Sequence, residues 1–154
     1  MTDDRRDGCR VFLGEYQHAL DDKNRVVLPR KFRDALEDGC VITKGQEHCI
    51  YVYTPERWAE EVAKITKLPR TNRRSRNFSR SFFAGASDVE LDKQGRIAIP
   101  ETLRNYATLA KDVTVVGVAD RVEIWSTPVW ETVAAEADEL YSGIEEVLSA
   151  GGEI

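Results

Sequence analysis

The strongest constraint on the fold of this chain is an internal duplication. The stretch LDDKNRVVLPRKFR, residues 20–33, returns as LDKQGRIAIPETLR at residues 91–104. An Asp, an Arg, a Pro and a second Arg keep the same offsets, as Asp21, Arg25, Pro29 and Arg33 in the first copy and as Asp92, Arg96, Pro100 and Arg104 in the second. A duplicated sequence is expected to fold into two similar half-structures.

The duplication divides the chain into segments. A shift of 71 residues aligns the start of the copies, and a shift of 72 aligns the rest, for example Val41 with Val113 and Trp58 with Trp130. The extra residue falls between a helix and a strand, where a loop tolerates it. We therefore predict a charged, disordered extension at residues 1–10, a first unit at residues 12–58, a helical connector at residues 59–82, a second unit at residues 83–130, and an acidic helix and tail at residues 131–154.

Each unit has the pattern ββαββα. Short β-branched and apolar runs predict the strands. Pro29 and Pro100 suit the first helical position, and Thr54-Pro55 and Thr127-Pro128 are typical of an N-cap followed by that position. The predicted class is α+β, with a mostly β core and peripheral helices. One unit is too small to bury a core, so we expect the copies to pack as a pseudo-dimer and exposed strand edges to pair between subunits, as a homo-oligomer.

The turn inside each repeat allows two interpretations. Asn24 stands where Gly95 stands in the other copy, and these residues enter positive φ most easily, so both turns are expected to need it. Asp21 and Asp92 can accept turn N–H groups and pair with the following arginines. In a purely structural interpretation the arginines are simply solvated, because surface ion pairs contribute little.

The alternative interpretation is a contact with nucleic acid. Lys23 and Lys93 accompany Arg25 and Arg96, which makes each turn a small cluster of cations. A two-stranded ribbon can enter the major groove of DNA, and arginine can bind guanine O6 and N7 with two hydrogen bonds. The neighbouring aspartates would hold the guanidinium groups in position.

Composition excludes several classes of protein. The chain is 42% hydrophobic and 32% charged, which is typical of a soluble globular protein, and no apolar run approaches the roughly 20 residues of a membrane helix. Residues 1–10 lack the apolar region of a secretory signal. Three cysteines without CxxC spacing indicate a reducing cytoplasm and argue against a disulfide framework or a zinc site. His48-Cys49 is the only candidate nucleophile pair, so we predict no enzyme activity, no metal, no cofactor and no small-molecule substrate.

Charge is distributed unevenly along the chain. The net charge is −5, yet residues 1–87 carry 17 Lys and Arg against 13 Asp and Glu, whereas residues 88–154 carry 5 against 14. Five arginines lie within residues 69–80, where Thr71 suits an N-cap, Phe78 and Phe82 share a helix face, and Arg73, Arg76 and Arg80 form a stripe. We interpret the stripe as a solvated face or a contact with an acidic helix, and phosphate contact is the alternative.

The sequence resembles the MraZ family. The stretches VFLGEYQHALDDKNRVVLPRKFRDAL, SRSFFAGASDVELDKQGRIAIPETLRNYATL and VTVVGVADRVEIW carry the likeness, which covers about residues 11–130. The resemblance implies two AbrB/SpoVT-like half-modules that form a pseudo-two-fold barrel. It also implies a ring-shaped homo-oligomer that binds short direct repeats of double-stranded DNA upstream of the division and cell-wall gene cluster, including its own promoter.

The resemblance assigns roles to individual residues. Arg25 matches the arginine that the family uses on DNA, Asp21 and Lys23 match its companions, and Asp92 and Arg96 match the second motif. Asn24 departs from the usual Gly but tolerates the same backbone conformation. The predicted DNA-binding residues are Arg25, Lys23, Arg96, Lys93 and Arg30, and the predicted turn and positioning residues are Asp21, Asp92, Asn24 and Gly95.

The two motifs are not expected to act equally. Arg25 is followed in sequence by Arg30, Lys31 and Arg33, so we expect the first motif to recognise DNA and the second mostly to hold the ring together. The predicted function is a sequence-specific transcriptional regulator in the cytoplasm, associated with the nucleoid. The alternative function is an antitoxin-like protein that binds a basic toxin through its acidic C-terminal helix.

Overall fold

The computed structural model describes residues 11–143, so the predicted extension at residues 1–10 and residues 144–154 of the predicted acidic end lie outside the described residues. The elements are β1 (Phe12–Ala19), β2 (Arg25–Val27), α1 (Arg30–Leu36), β3 (Cys40–Lys44), β4 (Ile50–Tyr53), α2 (Pro55–Thr66), α3 (Arg73–Ala84), β5 (Ser87–Val89), β6 (Arg96–Ala98), α4 (Glu101–Tyr106), β7 (Asp112–Ala119), β8 (Arg121–Ser126) and α5 (Thr127–Ser142). The order ββαββα is confirmed in both copies, with α3 inserted between them.

The two units exchange strands rather than fold side by side. The larger sheet has six antiparallel strands in the order β1-β7-β8-β4-β3-β5, and the smaller sheet pairs β2 with β6. The pairs β1 with β7, β8 with β4, and β3 with β5 each join one unit to the other. The predicted pseudo-dimer and the α+β class are therefore confirmed. A closed barrel is not confirmed, because β1 and β5 lie at opposite edges of the larger sheet among residues 11–143.

One hydrophobic core joins both units. Val26 of β2 lies opposite Ile97 of β6, and neither is exposed at all. The same buried cluster includes Leu36 and Leu103 from α1 and α4, together with Ile42, Ile50, Val113 and Ile124 from the larger sheet. Burying a side chain of this size contributes about 1.5–3 kcal/mol, so the shared core fixes β2 and β6 in place.

The first strand differs between the copies. β1 is eight residues long, but β5 is three, because α3 continues through Ala84. Phe12 in β1 packs edge-on against Phe32 at 5.2 Å between ring centroids, whereas its counterpart Phe83 lies in α3 and packs against Trp58 at 5.8 Å. The apolar face of α3 therefore includes Phe83, which the alignment of the two copies places at the start of the second unit. The predicted boundaries after residues 58 and 82 fall inside α2 and α3.

Three predicted helix starts are shifted by one residue. Pro29 and Pro100 are the N-cap residues of α1 and α4, and not the first helical residues. Thr127 is the first residue of α5 and not its N-cap. Its hydroxyl lies 2.9 Å from the Thr114 hydroxyl. The N-cap of α2 is confirmed, because Thr54 Oγ1 accepts a hydrogen bond from the Arg57 N–H at 3.1 Å.

Helix α3 is capped by a residue other than the predicted one. Asn72, and not Thr71, is the N-cap, and its Oδ1 accepts the N–H groups of Arg74 at 2.8 Å and Ser75 at 3.3 Å. The predicted shared face is confirmed by the stacked rings of Phe78 and Phe82. No helix within residues 11–143 is long and apolar enough to cross a membrane.

Candidate nucleic-acid interface

The first turn is built on the side chain of Asp21. Its Oδ1 accepts hydrogen bonds from the N–H groups of Lys23 and Arg25, both at 2.9 Å. Its backbone carbonyl accepts the N–H of Asn24 at 3.0 Å, and its own N–H donates to the Arg25 carbonyl at 2.9 Å. Asn24 has a φ of 60°, which confirms the predicted left-handed conformation. The turn is therefore ordered before any ligand binds.

The second turn repeats the same pattern. Asp92 Oδ1 accepts the N–H groups of Gln94 and Arg96, both at 2.9 Å, and Gly95 has a φ of 76°. A Cβ atom at Gly95 would collide with the Nε of Arg33. Glycine suits both the left-handed conformation, which Asn24 also adopts in the first turn, and the close approach of Arg33.

The aspartates also hold the repeated arginines, but not equally. Arg25 Nε donates to Asp21 Oδ2 at 2.8 Å, and Arg96 Nε donates to Asp92 Oδ2 at 2.7 Å. In addition, Arg96 Nη1 lies 3.8 Å from Asp21 Oδ2. Within residues 11–143, Asp21 is the only ion-pair partner of Arg25, and the two Nη groups of Arg25 donate no hydrogen bond. Arg25 therefore keeps the two terminal amines that a bidentate hydrogen bond to guanine requires.

Both aspartates remain ionised at neutral pH. The pKa of Asp21 lies below its usual value, mainly because the backbone N–H of Arg25 donates to its carboxylate, and the Arg25 side chain adds to the effect. The pKa of Asp92 is lowered in the same way by Arg96. The Asp–Arg pairs are therefore present across the physiological pH range.

Strands β2 and β6 present the two arginines on one ribbon. Arg25 lies opposite Ala98, Val26 opposite Ile97, and Val27 opposite Arg96. Because side chains alternate along a strand, the buried Val26 and Ile97 place Arg25 and Arg96 on the opposite, outward face. The two arginine side chains are 26% and 24% exposed and lie diagonally across the ribbon. An antiparallel ribbon of this kind fits the major groove.

Each turn is attached to the strand end of the other unit. The Leu28 N–H donates to the Gly95 carbonyl at 2.9 Å, and the Ile99 N–H donates to the Asn24 carbonyl at 3.0 Å. Helix α1 starts two residues after Leu28, so its first residue, Arg30, follows the strand end that is bound to the second turn. The helix that begins beside the first turn is α4.

Because of this exchange, the cations of α1 follow Arg25 in sequence, but the start of α1 adjoins the second turn. Arg33 lies against Gly95 of the second turn, as the close approach to that residue shows. Arg33, Asp34, Asp92 and Lys93 line one cleft of about 300 Å³ behind the second turn. Proximity in sequence was misleading because the antiparallel ribbon brings the end of each strand beside the turn of the other copy.

Arg33 and Arg104, the later arginine of each repeated stretch, have a structural role that was not predicted from the sequence. Arg33 Nε donates to the Leu28 carbonyl at 2.9 Å, and Arg104 Nη1 donates to the Ile99 carbonyl. Each arginine thus binds the strand end that precedes its own helix. The signal was present in the sequence, since Arg33 and Arg104 keep the same offset in both copies.

The remaining predicted cations are exposed. Lys23, Lys93 and Arg30 are exposed and form no ion pair within the described part of the chain. Long cationic side chains of this kind suit phosphate groups more than bases. Lys23 and Lys93 lie in the two turns, just before Arg25 and Arg96, and Arg30 begins α1.

The arginine stripe of α3 is separate from the ribbon. Its members, Arg73, Arg76 and Arg80, are exposed. Arg76 Nη1 donates to the Arg70 carbonyl at 2.9 Å, and Arg80 Nη1 donates to Asn77 Oδ1 at 3.1 Å. Between residues 11 and 143, no ion pair joins this stripe to the acidic helix α5. An acidic partner for the stripe within the same chain is therefore not seen in that range.

Comparison with known proteins establishes the family. The sequence matches the family described as "MraZ protein, putative antitoxin-like" twice, over residues 11–81 and residues 82–146. The chain belongs to the MraZ family. Each match contains one copy of the duplicated unit, and the resemblance drawn from the sequence is confirmed.

Relatives from other bacteria support the assignment to MraZ. A protein of Natranaerobius thermophilus is 48% identical over 138 residues, which is 90% of this chain and 96% of the relative. A protein of Halothermothrix orenii is 45% identical over 140 residues, or 91% and 96% of the two chains. A protein of Moorella thermoacetica is 48% identical over 138 residues, with coverage of 90% and 96%. All three are named "Transcriptional regulator MraZ".

The MraZ relatives are named regulators and not enzymes, which confirms the prediction that this chain has no enzyme activity. The structure agrees at the one candidate nucleophile pair. His48 Nδ1 lies 3.2 Å from the Tyr106 carbonyl, and the Cys49 Sγ donates to the Gln46 carbonyl. Burial raises the pKa of the Cys49 thiol, so the reactive thiolate is disfavoured.

Proposed function

We propose that this MraZ-family chain is a sequence-specific DNA-binding regulator of transcription and that the β2–β6 ribbon binds in the major groove. The observation that carries the proposal is the pair of arginines, Arg25 and Arg96, held by Asp21 and Asp92 on the outward face of the ribbon. A side chain that is already positioned loses less conformational entropy when it binds, so this arrangement favours a specific contact.

The proposal gives the two arginines different roles. Arg25 contacts guanine through its two Nη groups, which donate no hydrogen bond within the described residues. Arg96 is held by Asp92 and lies near Asp21 as well, so it serves mainly to join the two motifs. The exposed cations Lys23, Lys93 and Arg30 contact phosphate groups, which position the ribbon without selecting a sequence.

We further propose a ring-shaped homo-oligomer that binds short direct repeats upstream of the division and cell-wall gene cluster, including its own promoter, at the nucleoid. Support for an oligomer comes from edge strand β1, where Leu13 and the preceding residue Val11 leave 65% and 57% of their surface exposed. Unpaired strand edges with apolar side chains favour pairing with another chain. Several subunits on successive repeats would raise the overall affinity.

The function is tested with the DNA region upstream of the gene that encodes this chain. We expect the purified protein to bind a labelled fragment of this region more tightly than an unrelated fragment of equal length. Log affinity should fall with log salt concentration by about 0.9 for each phosphate neutralised. Equal affinity for both fragments, or an affinity independent of salt, would refute the proposal.

The second candidate function is that of an antitoxin. Helix α5 exposes Glu131, Glu136, Asp138 and Glu139 and has no buried residue, which would suit a basic protein partner. The family description also contains the words "antitoxin-like". Purification of the tagged chain from its own cells distinguishes the two functions, because only the second requires a basic protein in stoichiometric amount.

A further inference from the structure

We infer that the arginine stripe of α3 binds the acidic helix α5 of a second copy of this chain. The inference rests on the proposed homo-oligomer, because it names a surface through which neighbouring subunits meet. It assigns the stripe to a protein partner of opposite charge and not to DNA phosphates.

The larger sheet separates α3 and α5 from the β2–β6 ribbon. Val52 of β4 faces the core that contains β2, β6, α1 and α4. The next residue, Tyr53, lies on the opposite face of the sheet and clusters with Phe82 of α3. On that same face, Trp125 of β8 clusters with Trp130 of α5. The stripe therefore lies in the layer behind the ribbon, away from the surface proposed for DNA.

Within this layer the two helices lie toward opposite edges of the sheet. Helix α3 packs on β3, which neighbours edge strand β5, and α5 packs on β7 and β8, on the side of edge strand β1. When copies are joined with β1 of one toward β5 of the next, α5 of the first comes beside α3 of the second. A head-to-tail contact of this kind generates a ring when the rotation closes.

The two helices carry opposite charges. Residues 67–80 hold six Lys and Arg and no carboxylate, whereas residues 127–143 hold four carboxylates and no Lys or Arg. Complementary charges on facing surfaces favour the correct pairing, and like charges suppress the wrong one. Contacts of α3 with α3, or of α5 with α5, are therefore disfavoured, and the contact of α3 with α5 remains.

The spacing of the charges agrees between the helices. Arg73 and Arg80 lie seven residues apart on α3, and Glu131 and Asp138 lie seven residues apart on α5. Seven residues correspond to about 10.5 Å along either helix, so both ends of the stripe can meet a carboxylate at the same time. All four side chains are exposed, and none of them forms an ion pair within residues 11–143.

The second half of α5 also offers apolar surface to a partner. Every residue from Ala135 to Ser142 is exposed, and a helix of this length is marginal in water unless it packs against something. Tyr141 is 75% exposed and lies three residues after Asp138, on the same side of the helix.

A cleft beside the stripe can receive this tyrosine. The cleft has a volume of about 340 Å³ and is lined by apolar and arginine side chains of α2, α3 and the segment between them, among them Ile65, Leu68, Phe83, Arg76 and Arg80. An aromatic ring buries a large apolar area and attracts guanidinium groups to its face. The contact therefore combines ion pairs with an apolar anchor.

The test reverses the charges on one helix at a time. Arg73→Glu/Arg80→Glu places carboxylates opposite α5, and Glu131→Lys/Asp138→Lys places cations opposite α3. We expect each double variant to lower the particle mass, measured by light scattering at fixed protein concentration, to about half or less of the wild-type value, because like charges then meet at every contact.

The matched controls make the same charge changes away from the contact. They are Lys67→Glu/Arg74→Glu and Glu136→Lys/Glu139→Lys, and both should keep the wild-type mass. The two contact variants are then mixed. The reversed α3 of one now faces the reversed α5 of the other, and the unchanged helices match as well, so the mass should return toward the wild-type value.

The apolar anchor is tested separately. Tyr141→Ala should raise the protein concentration at which half of the subunits dissociate by about tenfold, as expected for a tyrosine at the centre of a contact. Leu140→Ala is the control, because Leu140 lies two residues from Asp138 and so on the other side of α5. Equal effects of the two substitutions would contradict the role of Tyr141.

The inference is overturned if contact and control variants have the same mass, or if the mixture of folded contact variants stays dissociated. An unchanged mass with weaker DNA binding by Arg73→Glu/Arg80→Glu would assign the stripe to phosphate groups instead. A monomeric wild type would overturn the proposed oligomer and this inference with it. A multimer that behaves as expected but does not prefer the upstream fragment would overturn the proposed DNA-binding function alone.

Discussion

Asp21 contacts both repeated arginines, whereas Asp92 contacts one. Its Oδ2 accepts the Nε of Arg25 at 2.8 Å and lies 3.8 Å from Nη1 of Arg96. Its Oδ1 is occupied separately by two backbone N–H groups of the turn. Oδ1 therefore binds the turn backbone, and Oδ2 binds the arginine side chains. A substitution can remove the second contact and keep the first.

The first prediction uses this separation. In Asp21→Asn the remaining Oδ1 still accepts the turn N–H groups, but the amide no longer holds the guanidinium groups of Arg25 and Arg96. We expect the ratio of specific to non-specific DNA affinity to fall about three- to tenfold, because Arg25 is no longer positioned. Fluorescence anisotropy with the upstream and unrelated fragments measures this ratio.

The matched control is Asp92→Asn, which releases only Arg96 from its main partner. We expect its ratio to change by less than about threefold, since base contact is assigned to Arg25. Equal losses for the two variants would contradict the unequal roles of the motifs.

The second prediction concerns the two left-handed turn residues. Gly95→Ala introduces a Cβ at a φ of 76°, against Arg33, and disturbs the hydrogen bond from Arg33 to Leu28. We expect the free energy of unfolding in urea to fall by roughly 2–3 kcal/mol at fixed protein concentration. Asn24→Gly, which keeps the same conformation accessible, should change it by less than about 0.5 kcal/mol. A larger loss for Asn24→Gly would show that the turns are not equivalent.

At the scale of elements, the sequence predicted the order ββαββα and the two turns correctly, because both depend on local signals. The turn prediction needed only Asn24, Gly95 and the preceding aspartates. The pairing of strands across units depends on which buried faces meet in space, as Val26 and Ile97 do, and no local signal specifies it. For this reason Arg33 follows Arg25 in sequence but lies against Gly95 of the other copy.

Helix ends were predicted less well, because neighbouring polar residues compete to cap them. Thr71 and Asn72 both suit an N-cap, and only the backbone conformation decides between them. The second unit was predicted to start at residue 83 because Phe83 aligns with Phe12 of β1, yet Phe83 lies in α3 and packs against Trp58 and Phe82.

The third prediction tests the cap of α3. Asn72→Ala removes the acceptor for the N–H groups of Arg74 and Ser75 and should lower the free energy of unfolding by about 1 kcal/mol. Thr71→Ala should change the free energy of unfolding by less than about 0.3 kcal/mol, because Thr71 does not cap the helix. Urea denaturation of both variants measures the difference, and a larger cost at Thr71 would assign the cap to that residue instead.

At the scale of the whole molecule, the two copies form one folding unit. Every strand pair of the larger sheet except β3 with β4 and β7 with β8 joins one copy to the other, and the core is shared. Within residues 11–143, the longer of the two outer edges of the larger sheet is that of β1, which has eight residues against three in β5. The proposed oligomer depends on surfaces of this kind.

The fourth prediction concerns that edge. Leu13→Glu places a charge on β1 at a side chain that is 65% exposed, and it should lower the mass of the particle measured by light scattering without unfolding the chain. Leu140→Glu, at a side chain of α5 that is also 65% exposed, is the matched control and should leave the mass unchanged. If neither variant changes the mass of a multimeric wild type, β1 is not part of the subunit contact.

The central claim is that Arg25 on the ribbon recognises DNA. The most direct test is the affinity of Arg25→Ala and of the Arg25→Ala/Arg96→Ala double variant for the upstream fragment. The matched control is Arg74→Ala, which removes an exposed arginine of α3 outside both the ribbon and the stripe. Each lost guanine contact costs about 1–3 kcal/mol, so specific binding should fall at least roughly fivefold per contact and further with each repeat engaged. Unchanged specific affinity in both ribbon variants, with normally folded protein, would contradict the account.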